Sequence, residues 1–243
     1  MALTFYWRCE EADFSAANGT TDYSAGDDIA SANNSVSLDA AAAKYGSTGI
    51  LVNAISEYYS FTPTSIISNS VGCLAFAFRL VNSMGVGDAL FYARGTSSDD
   101  NVSIRIGSGG DELSLYIRQS GQSETELQTS AASLTTNTWY FVVARWDQPN
   151  NSRYIAVYDT DGTLIDDTGD LSTPYNLPNA LNSAIRIGDS TGWGATKSVH
   201  FDNIFIGSAY DDPLDQNLTI TSYAEYGAGG SSNGAAVYYY SQL

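Results

Sequence analysis

The stretch CLAFAFRL, residues 73–80, alternates with a period of two: Leu74, Phe76, Phe78 and Leu80 on one side, Cys73, Ala75, Ala77 and Arg79 on the other. A helix needs its apolar residues three and four apart, whereas a strand puts every second side chain on one face. This pattern recurs along the chain. VSIRIGSGGDELSLYIRQ (102–119) reads as a hairpin that sets Val102, Ile104 and Ile106 against Leu113, Leu115 and Ile117 across a glycine-rich turn. TWYFVVARW and RYIAVYDT follow as two more strands, joined by DQPNNS, and an Asp161-Gly162 turn closes the next hairpin. Further strands are expected at AIRIG (184–188), SVHFDNIFIG (198–207) and LTITSY (218–223). Helical periodicity is confined to one short turn in DAAAAKYG (39–46).

About a dozen short strands separated by turn signals predict an all-β chain, a sandwich or jelly roll. One domain spans residues 1–224. Residues 225–243 form a glycine-serine linker and a tyrosine-rich tail. The small face of the 73–80 strand is expected to lie under a second layer or a groove. Trp139 and Trp146 are expected in the core.

Ten basic residues against 27 acidic ones give a formal charge of −17. That balance disfavours phosphate-driven nucleic-acid binding and attraction to an anionic membrane surface. No apolar run is long enough for a membrane-spanning helix, so neither nucleic acid nor membrane insertion is expected. The N-terminus MALTFYWRCEEAD lacks the parts of a secretory leader, which suggests a trimmed leader or no export through that route. Cys9 and Cys73 are expected as buried thiols, with cross-sheet pairing as the alternative.

TNTWYFVVARWD, RYIAVYDTDGTLI, AIRIGDS and VHFDNIFIG together resemble the laminin-G-like branch of the concanavalin A-like lectin/glucanase superfamily. LTFYWRCEEADF is similar to that family's first strand. The resemblance implies a two-sheet antiparallel jelly-roll sandwich with one concave and one convex face, and no particular activity, because this fold hosts lectins, hydrolases, lyases and structural proteins. It also implies a structural Ca2+, shared by Glu10 or Glu11 and Asp202; pairing of these acids with strand arginines is the alternative. No cofactor is otherwise required.

Catalytic patterns are thin. Hydrolysis of a glycosidic bond needs two carboxylates flanking it, and the best match is Glu124 and Glu126 on one face of a solvated strand. GDSTG (188–192) matches the Gly-x-Ser-x-Gly string of serine hydrolases but lacks the helix that the string needs after it. His200 is the chain's one histidine and reads as a strand residue. DTDGTLIDDTGD (159–170) fails the calcium-loop pattern, which would put Val157 and Thr168 on the first and last ligand positions.

The expected function is therefore non-catalytic: a structural or binding protein. Its composition resembles bacteriophage virion proteins that decorate capsids or appendages, which implies a virion location with other virion subunits or further copies of itself as partners. A secreted, extracellular carbohydrate-binding module is the alternative, and a polysaccharide hydrolase or lyase the second. Glycan-stacking candidates are Trp193, Tyr175 and Tyr92. Val237, Tyr238, Tyr239 and Tyr240 are candidates for docking on a partner subunit.

Overall fold

A computed structural model describes residues 3–7, 9, 23–24, 31–33, 35–61, 66–97, 99–130, 133–188 and 197–210. The strands are β1 (Leu3–Trp7), β2 (Tyr23–Ser24), β3 (Ser31–Asn33), β4 (Ser37–Asp39), β5 (Gly49–Val52), β6 (Tyr58–Phe61), β7 (Val71–Leu80) and β8 (Ala89–Arg94). They continue as β9 (Asn101–Ile106), β10 (Leu113–Arg118), β11 (Thr125–Gln128), β12 (Trp139–Asp147), β13 (Ser152–Tyr158), β14 (Leu164–Asp167), β15 (Ala184–Ile187) and β16 (Val199–Gly207). The expected helical turn is a 3-10 turn, Ala40–Ala42, capped by Asp39, whose carboxylate accepts from the Ala41 N–H. Among the described residues no helix is long and apolar enough to cross a membrane.

The strands make two antiparallel sheets. One has nine strands, in the order β14-β13-β12-β7-β16-β1-β2, with β5 on β16 and β4 on β5. The other has seven, in the order β11-β10-β9-β8-β15-β6-β3. Non-consecutive neighbours such as β7-β16 and β8-β15 give the jelly-roll connectivity. The expected hairpin holds residue by residue: Ile106 opposes Leu113, Ile104 opposes Leu115, and Val102 opposes Ile117. Gly162 closes the next hairpin with φ +88°, while Asp159 accepts from the Asp161 and Thr163 N–H groups.

Between the sheets lies one apolar core. Leu74, Phe76, Phe78, Val142, Trp146 and Ile155 face Phe91, Val102, Ile104, Leu115, Ile185 and Ile187 across it. Burying each of these side chains stabilises by roughly 1.5–3 kcal/mol. Trp146 is inside, as expected, and its indole N–H donates to the Ser68 carbonyl at 3.0 Å. A side chain on Gly72 would overlap that ring, since a Cβ there would lie 2.5 Å from Cζ2. Cys9 and Cys73 are both buried thiols, with no disulfide between them.

The outer face of the nine-stranded sheet carries a second cluster. Ala75, Ala77, Phe141, Val143 and Ala156 form its floor, with Tyr154, Tyr158 and Phe205 beside them and Trp139, Tyr45 and Tyr210 packed against it. The small face of β7 therefore does lie under a second layer. Trp139 belongs to this outer layer, half-buried, and not to the core, because it shares the face of Arg79, Ala77 and Ala75.

Strand β16 serves both layers through a bulge. Val199 and Phe201 point inward, and so do Ile204 and Ile206, a change of parity that one extra residue must absorb. The register with β7 shifts between Asp202 and Phe205, and Asn203 takes φ +46°. Asparagine tolerates this left-handed conformation better than most residues. Asp202 is fully buried beside the bulge. One carboxylate oxygen accepts from the Lys44 and Tyr45 N–H groups at 2.7 and 2.8 Å, and the other from the Asn203 N–H at 2.8 Å. These three backbone donors compensate part of its charge. Glu10 and Glu11 lie outside the described residues. Asp202→Asn should cost about 2 kcal/mol, the scale of hydrogen bonds to a charged group, and equally in calcium and in chelator. A calcium-dependent gain in melting temperature that the substitution erases would instead put a cation at Asp202.

Candidate functional site

Parity decides which side chains face the core and which the outer side. On the seven-stranded sheet the inward set is Phe91, Ala93, Val102, Ile104, Leu113, Leu115, Ile117, Ile185 and Ile187. The alternate positions then form its outer face, and they are polar or aromatic. Across this face Glu126, Tyr116, Ser103, Tyr92, Arg186 and Ser60 are successive cross-strand neighbours. A second row runs Arg118, Asn101, Arg94, Ala184. Four of the chain's eight arginines stand here, in a protein of net charge −17.

These groups are held in place. The Arg105 guanidinium lies over the Tyr116 ring, 3.7 Å from its centroid, and Arg186 lies over Tyr58 at 4.3 Å. Such cation–π contacts contribute roughly 0.5–2 kcal/mol each and hold each guanidinium against a ring. Arg105 Nε also donates to Ser103 Oγ at 2.8 Å, and its Nη2 reaches Asn101 Oδ1 at 3.5 Å. Ser103 Oγ donates to the same Asn101 oxygen at 3.3 Å. The Tyr116 hydroxyl donates to Glu124, and burial together with that carboxylate raises its pKa. Arg118 pairs with Asp99 at 3.2 Å. Beneath this edge Asp100 accepts from the Ser120 N–H and from the backbone and side chain of Asn179. Burial raises the Asp100 pKa, but those donors outweigh it and hold the value below the usual range. Asp100 thereby ties the loop before β15 to the β9–β10 hairpin.

The glycan-stacking candidates separate cleanly. Tyr92 lies in β8 on this outer face, half-buried between Ser103 and Arg186. Tyr175 requires correction: it is buried, with the Arg153 guanidinium 4.7 Å from its ring centroid. The loop that carries it folds back through an Arg153–Leu171 bridge, so the ring seals the end of the core. Burial pushes the Tyr175 pKa well up and the Arg153 pKa down. Trp193 lies outside the described residues, as do Val237, Tyr238, Tyr239 and Tyr240. Of the 188–192 string only Gly188 is described, with φ +71°.

The acids weighed for catalysis sit at the sheet edge. Glu126 is exposed on edge strand β11, and Glu124 holds Tyr116. Among the described residues no group of three His, Cys, Asp or Glu side chains converges on a metal position. On the opposite sheet the solvent side is closed. Val143, Ala75, Ala77 and Ala156 have no exposure. Its arginines are committed to the fold: Arg79 donates to the Ala41 carbonyl and to His200, and Arg145 lies over Tyr154 and Tyr210 with Asp170 at 3.7 Å.

A family model of the concanavalin A-like lectin/glucanases superfamily matches residues 56–206, well over half of the sequence. The chain belongs to that superfamily, in its laminin-G-like branch. Among curated proteins, none matches the sequence. Solved structures of the same fold include receptor-binding domains of botulinum neurotoxins. The C/D mosaic serotype domain superposes with a TM-score of 0.64 at 11% identity, covering 91% of this chain and 51% of that one. A type C structure, whose toxin's cell entry depends on two ganglioside molecules, gives a TM-score of 0.60 at 16% identity over 91% of this chain and 51% of its own. The serotype D ligand-binding domain in complex with N-acetylneuraminic acid gives 0.57 at 12% identity, over 80% and 46%. This chain spans about half the length of these relatives, and at such identity they establish the fold alone.

His200 is a buried strand residue, as its sequence context suggests. Because Arg79 donates to Nδ1, that nitrogen carries a lone pair and the ring is neutral. Burial, then the adjacent Arg79 charge, push its pKa down to about 4 from 6.5. The unfolded chain therefore takes up this proton first as pH falls. The stabilising contribution is whole above pH 6.5 and is lost from there down to about pH 4. His200→Gln should flatten this window: between about pH 7 and pH 5 its melting temperature should fall less than that of the unaltered protein. An equal fall in both proteins would remove His200 from the pH response.

Proposed function

We propose that this chain is a non-catalytic glycan-binding module whose site is the outer face of the seven-stranded sheet, centred on Tyr92. The observation that carries this reading is the pairing of a half-buried tyrosine with neighbouring guanidinium groups held against Tyr58 and Tyr116. A pyranose ring has one apolar C–H face and a rim of hydroxyls. Tyr92 offers the flat apolar partner, and Arg105 and Arg186 offer in-plane N–H donors to the rim. The groups are preorganised by strand register, which lowers the ordering cost of binding. The ganglioside and sialic acid relationships of the neurotoxin relatives agree with this reading at the level of fold.

A finer placement goes with it: a surface position on a virion, decorating a capsid or appendage, with surface glycans as one partner and neighbouring subunits or further copies as the other. It is supported by the acidic composition, rich in Ser, Thr, Asn and Gly. Residues 237–240 are its proposed docking segment, and co-sedimentation with purified particles, with and without residues 227–243, tests it.

Binding is tested on a glycan array followed by calorimetry. Tyr92→Ala should weaken the best oligosaccharide about two- to tenfold, since stacking on an aromatic ring is worth about 0.5–1.5 kcal/mol. Its melting temperature should stay within about 2 °C, because Tyr92 lies outside the core cluster. Retained affinity in Tyr92→Ala, or no glycan bound at all, would overturn the assignment.

A further inference from the structure

Polar side chains on a folded surface normally satisfy one another, so an arginine left without an acceptor is informative. Arg94 is such a residue. It is half-buried on β8, and among the described residues no carboxylate or other acceptor takes its terminal nitrogens; its Nε is shielded from solvent without a hydrogen-bond partner, as are those of Arg79, Arg118, Arg145, Arg153 and Arg186. The contrast with the chain's other arginines is informative. Arg79 and Arg145 are tied to Ala41 and Asp170, and Arg118 to Asp99.

Register places Arg94 beside further donors. It opposes Asn101 from one side, and Arg118 opposes Asn101 from the other. Two strand spacings separate the Arg94 and Arg118 backbones, about 10 Å, which a carboxylate- or sulfate-bearing sugar spans. Arg105 reaches the same point from along β9, with Nη2 at 3.5 Å from Asn101 Oδ1. Asn101 itself is 2% exposed, so the floor is fixed while the arginines rise around it. Tyr92 lies two residues before Arg94, on the same face of the same strand.

From this we infer that the Tyr92 face selects acidic saccharides, with Arg94, aided by Arg105 and Arg118, receiving a carboxylate or sulfate on a sugar whose ring lies at Tyr92. The inference rests on the glycan-binding reading above and names its ligand class. Arginine suits the task because its guanidinium presents two parallel N–H donors to the two oxygens of an acid. The net charge of −17 does not oppose it decisively. At physiological salt, charges more than about 8 Å away are largely screened, so the acid meets mainly the local groups: Arg94, Arg105 and Arg118, with Asp99 paired to Arg118 and Glu124 held by Tyr116.

The test measures affinity by calorimetry for matched pairs: sialyllactose against lactose, a uronic-acid oligomer against its neutral homologue, and a sulfated disaccharide against its unsulfated form. A short poly-glutamate peptide serves as a non-saccharide acid. The acidic member of at least one pair should bind about tenfold or more tightly than its neutral partner, the size of one charge-assisted hydrogen bond. Which pair shows the preference tells carboxylate from sulfate. Arg94→Gln should reduce that acidic-to-neutral ratio about tenfold, and Arg94→Lys, which keeps the charge but loses the fork, should restore part of it. Equal affinity for acidic and neutral members, or a ratio unchanged in Arg94→Gln, overturns the inference while leaving glycan binding standing. Binding of poly-glutamate as tight as that of the acidic sugar also overturns it. No binding of any saccharide fails the broader reading instead.

Discussion

Burial of strand β7 on both faces is the constraint from which the rest of the architecture follows. Its large residues, Leu74, Phe76 and Phe78, fill the space between the sheets, and its small ones, Ala75 and Ala77, floor the outer aromatic layer. The nine-stranded sheet is therefore apolar on both sides at its centre, and its solvent side is closed by Tyr45, Trp139 and Tyr210. A sheet so committed has little chemistry to offer a ligand. The seven-stranded sheet carries polar and aromatic side chains on its other face, where Asn101, Ser103, Ser114 and Tyr116 are buried and Tyr92, Arg94, Arg105 and Arg186 are half-buried. The same division explains the bulge in β16. That strand must send Phe201 and Ile204 into one core while placing Phe205 in the other layer, and Asn203 supplies the extra residue.

Electrostatics follow the same partition. Arginines on the nine-stranded side are structural: Arg79 holds a carbonyl and a neutral histidine, and Arg145 stacks between two tyrosines. Arg153 is 3% exposed beneath Tyr175 and gives one Nη to Thr173. On the seven-stranded side Arg105 and Arg186 are also stacked, yet on an open face, and Arg94 has no protein acceptor among the described residues. In an acidic chain this is a local concentration of donors, and donors are what hydroxyl- and acid-bearing ligands need.

How far the sequence revealed this depended on range. Strands β7, β9, β10, β12, β13, β15 and β16 were legible because their alternation is long and their turns carry Gly, Asn or Asp. Short strands such as β5 (GILV) and β6 (YYSF) lack a sustained period and were not. Trp139 was assigned to the core because hydrophobicity does not tell one face of a doubly buried strand from the other. Tyr175 read as exposed because STPYNLP has loop composition, whereas its burial comes from a loop folded back onto β13. Of the site, Tyr92 was visible as an aromatic and the strand arginines as a list. Their assembly around Asn101 depends on cross-strand register between β8, β9 and β10, information that no local window contains.

The most direct test of the central claim, that the open face of the seven-stranded sheet is the binding surface, is amide chemical-shift mapping of the isotope-labelled protein titrated with its tightest oligosaccharide. The account predicts shifts concentrated at Tyr92, Arg94, Asn101, Ser103 and Arg186 on β8, β9 and β15, with little change at Ala75, Val143 and Phe205. Shifts centred on the nine-stranded sheet, or on loops at the ends of the sandwich with β8 and β9 unmoved, would contradict it.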